Sequence, residues 1–130
     1  MVLIAGPCVI EDYEMLNLTA KALSKIIKNL DIDFYFKSSC VKDNRTKVEN
    51  FRGVGFKQGI EWLEKIRGMY DVKICTDFHN TDQLKKWSDR VDLIQIPAFL
   101  GRQVSMLECA AQQNKTIHLK KPQFMSYSDV

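Results

Sequence analysis

The stretch VKICTDFHNTDQLKKWSDRVDLIQIPA, residues Val72 to Ala98, holds one complete repeat of the fold. Val72–Cys75 is a short apolar run with the length and β-branched content of a buried strand. It ends in the polar block Thr76-Asp77-Phe78-His79. Thr81 fits a helix N-cap, and Leu84, Trp87 and Val91 follow at helical spacing. Leu93–Ile96 is a second apolar run. A strand, a helix and a strand in so short a span imply parallel strands joined by a right-handed crossover.

The same unit recurs on both sides. Val2–Ala5, Phe34–Phe36 and Thr116–Leu119 are further strand-like runs. Leu16, Ala20, Leu23, Ile27 and Leu30 mark one face of a first helix, with Lys21, Lys25 and Lys28 opposite. Phe56, Ile60, Leu63, Ile66 and Tyr70 mark a second, with Lys57, Glu61, Glu64 and Lys65 solvated. A fourth runs from about Gln103 to Gln113, with Val104, Leu107 and Ala111 predicted inward. The order β-α-β-α-β-α-β-α-β makes residues 1–130 one α/β domain. Lys42 to Gly55 is a long polar loop after the second strand, the end where parallel α/β proteins place chemistry.

Composition narrows the function. A net charge of +3 is too small to argue for nucleic acid, yet leaves room for a local cationic pocket. Cys8, Cys40, Cys75 and Cys109 form no CxxC pair, which points to reduced thiols in a cytosolic protein. The apolar runs are too short to span a membrane, and Met1 to Ile4 lack the layout of a signal peptide.

Polar groups gather at the strand ends. The runs end in Gly6-Pro7-Cys8, Lys37-Ser38-Ser39, Thr76-Asp77-Phe78-His79, Pro97-Ala98 (after Gln95) and Lys120-Lys121-Pro122-Gln123. Parallel strands bring these ends to one face. Lys37, Lys42, Arg45, Arg52, Arg102, Lys120 and Lys121 suit phosphate and carboxylate. Asp77 and His79, two residues apart, are an acid–base pair on one side of an extended segment. Bland roles fit some of these residues as well. Cys8 suits a small buried position, His79 a hydrogen-bonded structural histidine, and Trp62 and Trp87 ordinary packing. On residues alone this is an α/β protein with a phosphate-binding face.

Six blocks carry a resemblance. Ile4-Ala5-Gly6-Pro7-Cys8-Val9-Ile10-Glu11 is followed by Phe36-Lys37-Ser38-Ser39 with Lys42-Asp43-Asn44-Arg45-Thr46, and by Phe51-Arg52-Gly53-Val54-Gly55. Thr76-Asp77-Phe78-His79, then Leu93 to Leu100 with Arg102-Gln103, and Lys120-Lys121-Pro122-Gln123-Phe124 complete the set. In order and spacing this resembles the 3-deoxy-D-manno-octulosonate 8-phosphate (Kdo8P) synthases, within the wider DAHP synthase/Kdo8P synthase family. The resemblance covers essentially the whole chain. It implies the N-terminal part of a (β/α)8 TIM barrel and condensation of phosphoenolpyruvate with arabinose 5-phosphate and water, in a cytoplasmic homo-oligomer.

The resemblance also assigns roles. Lys37, Lys42 and Lys120 would hold phosphoenolpyruvate, and Asn44, Arg45 and Thr46 the aldose phosphate. Gln95, Ala98, Arg102 and Gln123 would line the site. Asp77 and His79 would order water and protons. Cys8 matches the cysteine of the metal-dependent branch, which uses a zinc-, iron- or manganese-type ion. The other ligands would lie beyond residue 130, so this stretch alone is expected to be inactive and marginally folded.

Departures from the pattern are Val41, Asp43, Asn80, Gly101 and Val104-Ser105. Asp43 is expected to weaken anion binding by its charge. The rival readings are a DAHP synthase using erythrose 4-phosphate, a non-catalytic truncated homologue, and a flavodoxin-like sheet. The last lacks a flavin-phosphate loop.

Overall fold

The computed structural model describes residues 1–130. Five strands pair in chain order, all parallel: β1 (Val2–Ala5), β2 (Asp33–Lys37), β3 (Lys73–Asp77), β4 (Leu93–Ile96) and β5 (Thr116–Leu119). Helices α1 (Tyr13–Ile27), α2 (Phe56–Tyr70), α3 (Thr81–Trp87) and α4 (Val104–Ala111) fill the crossovers. Each strand lies beside its sequence neighbours, so the sheet curls as part of a (β/α)8 barrel. A flavodoxin-like sheet reverses its strand order part-way, and this one does not.

The two faces of the sheet differ because successive side chains alternate. Phe34, Phe36, Ile74, Ile94 and Ile96 face the helices and join Leu16, Ile60, Leu63, Ile66, Leu84 and Met106 in one core. Tyr35, Cys75 and Leu93 pack with Ile4 as a smaller cluster on the concave face. Lys37, Asp77 and Gln95 follow two residues after these, so the concave face turns polar toward the strand ends.

Local chemistry fixes the element ends. Asp12 caps α1 by accepting from Met15 N at 2.8 Å. Residue 80, not Thr81, caps α3: the Asn80 side chain accepts from Gln83 N at 2.9 Å, and Thr81 is already helical. α1 ends at Ile27, so Leu30 lies in a turn and is exposed. The inward face of α4 is Met106, Cys109 and Ala110. Val104, predicted inward, is 66% exposed because it opens the first helical turn. The loop between β2 and α2 has no regular element, but Lys42 N donates to Arg52 O at 2.7 Å and Gly55 N to Cys40 O at 3.1 Å.

Gly6 sits at the tip of β1 with φ 156°, where a Cβ would lie 2.0 Å from Lys37 O. Only glycine lets β1 approach the end of β2 so closely. No helix is long and apolar enough to cross a membrane.

Candidate active site

Strand register builds the site. Lys37 lies opposite Cys75, and Asp77 opposite Gln95, on the concave face. Asp77 is the hub. Its carboxylate lies 3.7 Å from Lys37 Nζ, 3.9 Å from Lys42 Nζ and 3.4 Å from His79 Nε2. Burial opposes its charge, but His79, Lys37, Ser39 and Lys42 outweigh burial and hold the carboxyl below the usual carboxylate range. Burial also pushes Lys37 below the usual lysine value, with Asp77 opposing. Lys37 Nζ donates to Ser39 Oγ at 2.7 Å, which fixes its direction.

His79 is held from two sides. Its backbone N–H donates to the Gln83 side chain at 2.7 Å, tying it to the first turn of α3. Its ring stacks on Phe99, with centroids 6.1 Å apart and planes at 14°. Asp77 Oδ1 and His79 Nδ1 are buried without a hydrogen-bond partner. Two orphaned polar atoms on one acid–base pair are positioned for a ligand or water.

Above this pair opens a cleft of about 310 Å³. Lys42, Asn44 and Asp77 line one side, Lys120 and Gln123 the other, with Gln95, Pro97, Ala98 and Phe99 between them. A larger groove of about 660 Å³ lies at the opposite end of the sheet, along Lys21, Lys25, Lys28 and Tyr70. It holds no buried acid–base pair, so the strand-end cleft is the better reaction site despite its smaller volume.

Of the residues singled out in the sequence, Lys37, Lys42, Asn44, Asp77, His79, Gln95, Ala98, Lys120 and Gln123 are drawn together at this cleft. Arg45 is not: it donates to Phe51 O at 3.0 Å and borders a separate hollow with Val9, Glu11 and Asn50. Thr46 and Arg102 are exposed and do not line the cleft. Asp43 pairs with Arg52, so its charge is engaged in the loop rather than turned on the cleft. Ser39 and Phe99 lie within blocks already singled out, and Gln83 is an addition from the first turn of α3.

Cys8 is exposed and lines none of this cleft. No group of three or more His, Cys, Asp or Glu side chains is placed to hold a metal ion. A single thiolate does not make a metal site, so the donor set within residues 1–130 does not by itself fit one.

The sequence matches the DAHP synthetase I family over residues 1–130. It is 45% identical over 130 residues to the 2-dehydro-3-deoxyphosphooctonate aldolase of Wolinella succinogenes, covering 100% of this chain and 49% of that protein. The protein of the same name from Helicobacter hepaticus is 45% identical, with 48% of its length covered. That from Campylobacter jejuni subsp. doylei is 43% identical, with 49% covered. The chain therefore spans about half the length of the curated relatives it matches.

Proposed function

The chain belongs to the DAHP synthetase I family, and from that premise we propose that it is the N-terminal half-barrel of a Kdo8P synthase. The whole enzyme would condense phosphoenolpyruvate with D-arabinose 5-phosphate and water to give Kdo8P and phosphate, a cytoplasmic step toward lipopolysaccharide. The observation that carries this is the buried Asp77–His79 contact flanked by Lys37 and Lys42 beneath an anion-sized cleft.

In this reading Lys37, Lys42 and Lys120 bind the phosphate and carboxylate of phosphoenolpyruvate. Fixed cations stabilise negative charge as it develops and cost no reorganisation during reaction. Asp77 and His79 hold the water and relay its proton through their unpartnered atoms. Gln95, Ala98 and Gln123 shape the wall, and Arg102 closes it from the rim. Asn44, Arg45 and Thr46 take the aldose phosphate, with Arg45 exchanging its bond to Phe51 O for one to phosphate. Cys8 contributes one thiolate toward a zinc-, iron- or manganese-type ion whose other donors lie outside residues 1–130. The whole protein is proposed to be a homo-oligomer, and residues 1–130 alone to be inactive.

The test joins residues 1–130 to the second half of the Wolinella succinogenes relative and follows phosphate release from phosphoenolpyruvate. Release with arabinose 5-phosphate, and none from residues 1–130 alone, supports the proposal. Release with erythrose 4-phosphate instead makes the chain a DAHP synthase half. No release with either aldose makes it a non-catalytic homologue.

A further inference from the structure

Three strands place a polar side chain at one level of the concave face. Register pairs Asp77 with Gln95, and Gln95 with His118, so the three form a row across β3, β4 and β5. Asp77 and Gln95 line the cleft, and so does Lys120, two residues beyond His118 on the same strand. Side chains two apart on a strand share a face. His118 therefore sits in register with Gln95 and one level below Lys120, next to two residues that line the cleft though not in its lining itself.

His118 is half-buried, and its Nδ1 is buried with no hydrogen-bond partner. A polar atom stripped of partners in this way costs free energy until a ligand or a water meets it.

We propose that His118 is a substrate-binding residue, whose imidazole N–H donates to an oxygen of the small phosphate- and carboxylate-bearing anion held by Lys37, Lys42 and Lys120. The inference rests on the reading of the cleft given under the proposed function. Burial, and after it the charges of Lys120 and Lys37, lower the His118 pKa. Near neutral pH the ring is thus uncharged, with one N–H donor and one acceptor nitrogen. A neutral donor adds direction where the lysines add charge. Flexible ammonium groups attract an anion from many angles, whereas an imidazole on a paired strand donates along one.

The chain has two histidines, His79 and His118, so its imidazole NMR spectrum contains two ring systems. Titration of the ¹⁵N-histidine-labelled chain with phosphoenolpyruvate is expected to move the His118 ring signals saturably. In equilibrium dialysis His118→Leu is expected to weaken phosphoenolpyruvate binding about tenfold. His118→Asn or His118→Gln restores most of that affinity, according to which ring nitrogen donates. His118→Leu binding as tightly as wild type overturns the inference. So do His118 signals that stay fixed while ligand binds, or a loss that neither amide restores. A wild-type chain that binds no phosphoenolpyruvate overturns this inference alone, because the parent reading is tested separately by phosphate release from the joined barrel.

Discussion

Asp77 concentrates the electrostatics of the site in one carboxylate. Its folded pKa lies below the ordinary aspartate value of about 3.9, so its stabilising contribution is fully present above that pH and is lost as pH falls through the folded value. Asp77→Asn leaves Lys37 and Lys42 facing each other without their common partner. We expect a loss of about 3–5 kcal/mol at pH 7, the usual cost of breaking a buried pair from one side. Urea unfolding should show a smaller gap between variant and wild type at pH 3 than at pH 7; equal gaps would mean that the charge is not the source. Lys37 has a dependence of the same sign in a higher pH window. Its folded pKa is lowered, so just below the ordinary lysine value the unfolded chain binds more protons and stability rises with pH. The thiols divide by burial. Burial pushes Cys40 and Cys75 up to about 12, while Cys8 is exposed. Ellman's reagent at pH 8 should find one fast thiol in the native chain, absent in Cys8→Ser; a fast thiol that survives this change would contradict the burial. Most of the cleft was legible because Lys37, Asp77, Gln95 and Lys120 sit at strand ends, where period-two alternation sets direction. Arg45 was not, because no periodicity sets the direction of a loop side chain. His118 was hidden in an apolar run, although its spacing from Lys120 carried the signal.

At the scale of elements, the approach of α2 to the segment after β2 depends on one missing side chain. A Cβ at Gly59 would lie 2.6 Å from Cys40 Sγ and 2.8 Å from Cys40 Cβ. Gly59→Ala would gain about 1 kcal/mol of helix propensity and lose about 1–3 kcal/mol to overpacking. Cys40 is fully buried and has no room to retreat, so packing wins. The expected result is a lower urea midpoint; a higher one would show that the interface relaxes freely. The cap of α3 has a functional consequence. Asn80→Ala removes the bond to Gln83 N and should cost about 1 kcal/mol. It also loosens the turn in which Gln83 holds the His79 backbone, so phosphoenolpyruvate turnover by the joined barrel should fall along with stability. Turnover unchanged in a measurably destabilised Asn80→Ala protein would separate the cap from the site. The faces of α1 and α2 were legible because each repeats its apolar pattern over four turns. α4 was legible only in part: Leu107 packs on the core as expected, but Val104 and Ala111 are exposed, and Met106, Cys109 and Ala110 are the buried residues.

At the scale of the molecule, burial falls from the middle of the sheet to its sides. β4 is buried along its whole length, whereas β1 and β5 each begin exposed and continue half-buried. The strand order leaves one edge of β1 and one edge of β5 unpaired. Val2, at the start of β1, is 61% exposed. Unpaired parallel edges with apolar side chains are templates for further pairing. The relatives that this chain matches are about twice its length, so a second half is available in those proteins to meet both edges. Residues 1–130 by themselves should therefore associate as concentration rises. Their β1 and β5 amides should exchange hydrogen faster than those of β3 and β4, because opening at an edge breaks fewer contacts. Joining the second half of the Wolinella succinogenes relative should slow exchange in β1 and β5 far more than in β3. Sedimentation velocity and residue-resolved exchange measure both effects. Equal protection in all five strands of the isolated chain, with no concentration dependence, would mean that the half-barrel is a self-sufficient fold and that its edges need no partner.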